Sequence, residues 1–176
     1  MLQRRPAASR ETAVVAQVQR RIGRPGVVGA ARGLSMFGEH AVGWIVGGAF
    51  GALIDRPRRR EWVIATTGVV AAHAASVVLK RLARRRRPMD EAVQVLVDTP
   101  SWYSFPSSHA TSTTAAAVLY GGLMGRPLAP VLVPPMLASR LVLGVHYPTD
   151  VLAGSALGAL VGMAVRRRLR GRGPKR

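Results

Sequence analysis

Apolar residues form five stretches of about 15 to 20 positions, which short polar segments separate. The stretches are residues 37–54, 62–79, 107–124, 128–145 and 151–165. An apolar helix of this length lies close to the minimum needed to cross a bilayer of about 30 Å. The pattern therefore predicts an all-α fold, a polytopic membrane helix bundle of about five transmembrane helices, with residues 36–165 as its single membrane domain.

The two ends of the chain follow a different pattern. Residues 12–32 alternate Val and Ala with Gln and Arg, which predicts an amphipathic helix lying at the membrane interface. Residues 1–35 have neither the continuous apolar core nor the small-residue cleavage site of a secretory signal peptide. Residues 166–176 form a basic tail.

Glycine recurs at every fourth position in two of the apolar stretches. The repeats are Gly43, Gly47 and Gly51 in the first stretch, and Gly154, Gly158 and Gly162 in the last. Such spacing allows helices to approach closely, so the repeats serve packing within one chain or the seam of a homo-oligomer. His73 interrupts the second stretch, and we expect it to hydrogen-bond between helices.

The net charge of +18 first raises nucleic acid as a partner. The arginines, however, cluster at the ends of the apolar stretches, which is typical of residues that set membrane topology and contact anionic lipid head groups. We therefore expect membrane lipids as partners and no nucleic acid. The basic clusters nearly balance on the two membrane faces, so charge alone does not orient the chain. The absence of cysteine excludes disulfides and thiolate metal ligands.

Residues suited to handling a phosphate group occur in three short blocks. The blocks are residues 80–88 (KRLARRRRP), 105–110 (FPSSHA) and 139–150 (SRLVLGVHYPTD). If successive apolar helices cross the membrane in alternate directions, all three blocks reach the same membrane face. The order of the blocks thus predicts one site at one face.

The residue types in these blocks cover the roles that phosphoryl transfer requires. Lys80, Arg87 and Arg140 supply positive charge, and the two arginines offer planar forks that match phosphate oxygens. Ser107 and Ser108 lie where a helix begins, so their hydroxyl and N–H groups can donate to an anion.

Two histidines and one carboxylate complete the predicted chemistry. His146 is the candidate nucleophile. Asp150, four residues later, can accept a hydrogen bond from the other ring nitrogen of His146 and so hold the productive tautomer. His109 is the candidate general acid and base. The carboxylates include no pair placed for two metal ions apart from adjacent Asp90 and Glu91, so we expect no metal and no cofactor.

These blocks resemble the three motifs of the PAP2 superfamily of membrane lipid phosphatases, K-x6-R-P, P-S-G-H and S-R-x5-H-x3-D. Lys80 with Arg87-Pro88 fits the first motif, and Ser139-Arg140, His146 and Asp150 fit the third. The second motif differs from the family pattern at one position, where Ser108 replaces Gly. The resemblance implies the same roles as the residue types do, with a phosphohistidine intermediate on His146. Family members usually have six spans, so the usual first span is missing or reduced.

Gly38-Glu39-His40 and residues 104–114 resemble more closely the actinobacterial PAP2 enzymes that act on decaprenylphosphoryl-5-phosphoribose. That resemblance implies formation of decaprenylphosphoryl ribose for cell-wall arabinan, at the cell membrane and with an extracytoplasmic site. Glu39 and His40 are candidate contacts for the sugar, because they would lie at the same membrane face as the site; the alternative is that they form an ordinary polar start of a helix. Polyprenyl pyrophosphate, phosphatidylglycerophosphate and phosphatidic acid are alternative substrates, and a non-enzymatic membrane scaffold is an alternative function. A vanadate-dependent haloperoxidase is disfavoured, because those chains are soluble and larger.

Overall fold

The computed structural model describes residues 10–170, and within that range the chain is helical without a β-strand. The all-α prediction is confirmed. The helices are α1 (Arg10–Ile22), α2 (Pro25–Gly38), α3 (Val42–Ile54), α4 (Arg59–Ala83), α5 (Ser108–Met124), α6 (Ala129–Val142) and α7 (Pro148–Arg170). A long irregular loop joins α4 to α5.

Helix α5 forms the centre of the bundle, where α4, α6 and α7 all pack against it. Its first two turns are rich in Ser and Thr and yet are buried. This burial is tolerated because the hydroxyl groups are hydrogen-bonded, as when Thr111 Oγ1 donates to the carbonyl of Ser107 at 2.9 Å. Gly125, in the left-handed conformation at φ 66°, ends the helix.

The glycine repeat of α7 lies against α5 within the same chain. A Cβ atom on Gly158 would come 2.2 Å from the carbonyl oxygen of Thr111, and one on Gly154 would come 2.5 Å from that of Ser107. The first repeat is mixed, because Gly51 contacts the ring of Trp62 whereas Gly47 faces open space. Packing within the chain therefore accounts for the repeat of α7.

The outer surface of the bundle is suited to lipid. Within residues 10–170, three helical segments are long and apolar enough to cross a membrane, namely Pro25–Ile54, Arg56–Ala83 and Pro148–Arg170. Helix α6 is apolar but shorter. Large apolar side chains are exposed on these segments, including Val46, Phe50, Leu53, Val63 and Leu160. Such a continuous apolar surface is a membrane-protein feature.

The N-terminal region differs from the single interfacial helix expected over residues 12–32. Two helices replace it, because Gly23 and Arg24 are not helical and Pro25 starts a new helix. Helix α2 continues into α3 as one candidate span after a break at Glu39–Ala41. The boundary expected at residue 35 thus falls inside α2, and only α1 remains separate from the spans.

Substitution of Gly158 by Ala is expected to destabilise the protein by about 1–3 kcal/mol, because the added methyl group overpacks the contact with α5. The free energy of unfolding in detergent measures this effect. Gly47→Ala is the matched control, since it adds the same atom where no neighbour lies within 4 Å. Equal stability of the two variants would contradict the packing described for α7.

Candidate active site

The three sequence blocks meet at one cavity of about 340 Å³. Eight of the predicted site residues line it: Glu39, His40, Lys80, Arg87, Ser108, His109, Arg140 and His146. The other two, Ser107 and Asp150, lie outside the lining and are fully buried. Ser107 caps α5, and its backbone N–H donates to the carbonyl of Asp150 at 3.0 Å, so it joins the starts of α5 and α7.

Three buried or partly buried cations of this cavity, Lys80, Arg87 and Arg140, make no salt bridge to a carboxylate among residues 10–170. Arg140 donates through Nη1 to Ser35 Oγ at 3.1 Å, while its Nη2 is buried and makes no hydrogen bond to any described residue. Lys80, in the last turn of α4, is only 8 % exposed. Buried cations that no carboxylate contacts directly are costly, so this arrangement favours an anionic ligand.

Arg87 is positioned by the backbone of the long loop and of the segment before α7. Its Nε donates to the carbonyl of Ser101 at 2.8 Å, and its Nη1 donates to that of Val145 at 2.7 Å. Burial lowers the pKa of Arg87 to about 10, so the side chain remains charged at neutral pH. The guanidinium is therefore held in place before any ligand binds.

His146 lies in the connection between α6 and α7 and is almost fully buried. Its Nε2 is 3.2 Å from Arg87 Nη1, and its Nδ1 is 3.5 Å from Asp150 Oδ2 without a hydrogen bond. Burial, and then the positive charges of Arg87, Lys80 and Arg140, lower the pKa of His146 well below its usual value. The imidazole is thus neutral at neutral pH, which leaves a ring nitrogen with a lone pair beside the cations.

His109 and Ser108 occupy the first turn of α5. His109 Nε2 lies 3.0 Å from the carbonyl oxygen of Ser35 and 3.9 Å from Glu39 Oε2. Ser108 Oγ is hydrogen-bonded to Ser76 Oγ at 2.8 Å. The start of α5 therefore presents a histidine, and the N–H groups of a helix N-terminus, to the cavity.

Ser35 and Ser76 are part of the site and were missed by the sequence reasoning. Ser35 contacts both His109 and Arg140, and Ser76 holds Ser108. Neither serine stands in a motif. Their roles arise from contacts between helices far apart in sequence, and no sequence signal identifies them.

Arg85 was also missed, although it lies inside the first block. Its Nη1 donates to Asp150 Oδ1 at 2.9 Å, and its Nη2 donates to Glu11 Oε2 at 2.5 Å. The guanidinium carbon lies 4.2 Å from the centre of the Tyr147 ring. Asp150 Oδ2 in turn accepts from the N–H of Tyr147 at 2.8 Å. Both oxygens of the buried carboxylate are therefore fixed.

Glu11 extends this network to α1. Burial raises the pKa of Glu11, but the hydrogen bonds from Thr149 and Arg85 together lower it by more. The pKa of Glu11 therefore lies below its usual value. The pKa of Arg85 is raised, because its bond to Glu11 and the charge of Asp150 outweigh burial. An ion pair thus links the N-terminal helix to Asp150, beside the candidate nucleophile.

Within residues 10–170, no three His, Cys, Asp or Glu side chains are grouped to hold a metal ion. The arrangement can instead bind a phosphate group between cations and place it beside a neutral histidine. A second histidine and a helix N-terminus lie in the same cavity.

Comparison with known proteins matches this geometry to one family. Residues 61–173 match the model of the PAP2 superfamily. The chain is 56 % identical over 156 residues to decaprenylphosphoryl-5-phosphoribose phosphatase of Mycobacterium tuberculosis, covering 88 % of each chain. It is also 56 % identical over 145 residues to the protein of that name from Mycolicibacterium smegmatis, covering 82 % of this chain and 81 % of the relative.

A solved structure has the same fold. It is a transmembrane PAP2-type phosphatidylglycerolphosphate phosphatase from Bacillus subtilis, with a TM-score of 0.78 and 24 % identity. The match covers 94 % of this chain and 87 % of the other. At that identity the likeness carries the fold alone.

Substitution of Arg85 by Gln is expected to lower kcat for phosphate release by about 10- to 100-fold, because Asp150, the candidate partner of His146, loses a supporting hydrogen bond. Glu11→Gln is expected to act in the same direction with a smaller effect. Kinetics of purified protein in detergent measure both. Arg86→Gln is the matched control, since this neighbouring arginine is exposed and its side chain makes no hydrogen bond to a described residue. Equal rates for the Arg85 and Arg86 variants would refute the role of the network.

Proposed function

This chain belongs to the PAP2 superfamily and is a membrane lipid phosphatase, and we propose that it removes the 5-phosphate from decaprenylphosphoryl-5-phosphoribose. The observation that carries the chemistry is the convergence of Lys80, Arg87, Arg140 and His146 on one cavity. The support for the substrate is the 56 % identity, over 88 % of the chain, to a phosphatase of that name.

In the proposed first step, His146 Nε2 attacks the phosphorus of the terminal monoester. The bond between phosphorus and the oxygen on C5 of ribose breaks, and His109 donates a proton to that leaving oxygen. Lys80, Arg87 and Arg140 stabilise the charge on the three equatorial oxygens, with Ser108 and the start of α5 as further contributors. Ser107, which was expected to bind the phosphate, instead positions the start of α5, because it is buried outside the cavity and its N–H bonds to Asp150. Asp150 stabilises the positive charge that forms on the His146 ring.

In the proposed second step, His109 acts as a base. It takes a proton from a water molecule, whose oxygen attacks the phosphohistidine and releases inorganic phosphate. His146 and His109 return to their starting states. All of these roles belong to side chains, so we propose that the reaction needs no metal ion and no cofactor.

Glu39 and His40 are proposed to contact the sugar. Both line the cavity, and the Glu39 carboxylate lies near His109, where the leaving oxygen would sit. A carboxylate can accept hydrogen bonds from ribose hydroxyl groups. It would repel a second phosphate group, which disfavours decaprenyl pyrophosphate as the preferred substrate.

We further propose that the cavity opens on the extracytoplasmic face of the cell membrane. The family resemblance supports this side. Arg58 donates to the carbonyl of Leu123 at the opposite end of the bundle, so the α3–α4 connection and the end of α5 share the face away from the cavity. Under this orientation the C-terminal tail lies in the cytoplasm.

The substrate proposal predicts a higher kcat/KM for decaprenylphosphoryl-5-phosphoribose than for decaprenyl pyrophosphate, phosphatidylglycerophosphate or phosphatidic acid. Phosphate release by the purified protein in detergent with EDTA measures these values. His146→Ala is expected to lower the rate by several orders of magnitude, because the nucleophile is removed. Preference for another lipid would replace the substrate and keep the chemistry. Release that survives His146→Ala would refute the mechanism, and release abolished by EDTA would refute metal independence.

The orientation predicts that a cysteine in the C-terminal tail is protected in intact cells. The sequence has no cysteine, so a single introduced cysteine gives an unambiguous label site. An impermeant thiol reagent should label Arg172→Cys only after the cells are opened. Val95→Cys, in the exposed loop on the cavity side, is the control and should be labelled in intact cells. The reverse pattern would place the site in the cytoplasm.

A further inference from the structure

The cavity extends beyond the phosphate-binding cations to His73, near the middle of α4. His73, Val77 and Lys80 all line it, because residues four and three positions apart share one face of a helix. At a rise of about 1.5 Å per residue, His73 lies about 10 Å from Lys80 along the helix axis. A polar residue at such a position in a span is uncommon unless it serves a function.

His73 does not make the hydrogen bond between helices that the sequence predicted. Its Nδ1 is buried and has no hydrogen-bond partner among the described residues. Its backbone carbonyl accepts a hydrogen bond from Ser76 Oγ at 2.6 Å. No hydrogen bond from another described helix therefore holds the ring, which lines the cavity where a ligand hydroxyl group can contact it.

The break between α2 and α3 faces the same part of the cavity. His40 and Ala41 have φ values of 48° and 60°, a left-handed conformation that is strained for residues other than glycine. The break places Glu39 and His40 in the cavity lining, with the ring centre of His40 6.3 Å from that of His73. Strain retained beside a cavity is typical of binding sites.

The chemistry of this group of residues matches hydroxyl groups. A carboxylate only accepts hydrogen bonds, whereas a neutral imidazole both donates and accepts them. Sugar hydroxyl groups likewise donate and accept. A second phosphate is a poorer match, because the Glu39 carboxylate would repel it.

We propose that His73, together with Glu39 and His40, forms a subsite for a pentose whose phosphate is held by Lys80, Arg87 and Arg140. His73 is the specificity-determining residue of this subsite. This inference rests on the proposed function, since it assigns the recognition of the sugar within the same site.

The test compares two phosphomonoesters, decaprenylphosphoryl-5-phosphoribose and diacyl phosphatidic acid, which has no free hydroxyl group outside its phosphate. We define the ratio as kcat/KM for the ribosyl lipid divided by kcat/KM for phosphatidic acid. His73→Phe is expected to lower this ratio by about tenfold or more, because the sugar loses a hydrogen-bond partner. Hydrolysis of phosphatidic acid should fall much less. His73→Asn keeps a donor and an acceptor and should restore part of the ratio.

Thr67→Val is the matched control, since Thr67 is a polar residue of the same helix that is exposed and bonds only to the carbonyl of Val63. An unchanged ratio in His73→Phe would overturn the subsite, and so would an equal loss for both substrates. A selective loss for decaprenyl pyrophosphate would assign the subsite to a second phosphate instead. Lack of preference for the ribosyl lipid in the wild-type protein would refute the proposed substrate. If the wild-type protein does prefer the ribosyl lipid, the kcat/KM ratio of His73→Phe alone tests whether the subsite exists.

Discussion

The structure depends on the burial of positive charge at one end of an apolar bundle. Lys80 and Arg140 are almost fully buried, and Arg87 lies beside them without a carboxylate partner in the described chain. Such a cluster is tolerated only where rigid partners hold each side chain, because mutual repulsion would otherwise drive the cations outward. Backbone carbonyls hold Arg87, and Ser35 holds Arg140. This concentration of positive charge favours the binding of a phosphate group.

Close helix packing makes this arrangement possible. The glycines of α7 let its backbone approach the start of α5, where Ser107 bonds to Asp150. The beginning of α5 is therefore fixed relative to His146 and its partner. The buried carboxylate of Asp150 also accepts a hydrogen bond from Arg85. Glu11 and the ring of Tyr147 in turn hold the guanidinium of Arg85. Preorganisation of this kind lowers the cost of reorganisation during the reaction.

Much of this organisation can be predicted from sequence. The apolar stretches and the three blocks specify a helical membrane phosphatase, and eight of the ten predicted site residues line the cavity. What could not be predicted depends on contacts between distant segments. Arg85 stands at an unspecified position of its motif, and its partner Glu11 lies in another helix. His73 was expected to hydrogen-bond to another helix, and it does not. The sequence pattern alone cannot distinguish a residue that contacts a helix from one that lines a cavity.

The break between α2 and α3 divides the site into two parts with different origins in the chain. The cations and both histidines that are proposed to handle the phosphate lie within residues 61–173, the segment that matches the superfamily model. Ser35, Glu39 and His40 come from the part before it. Substitutions near the break can therefore change one wall of the cavity without altering the histidines and cations on its other side. A bundle built this way can acquire new lipid substrates during evolution while its hydrolytic chemistry stays the same.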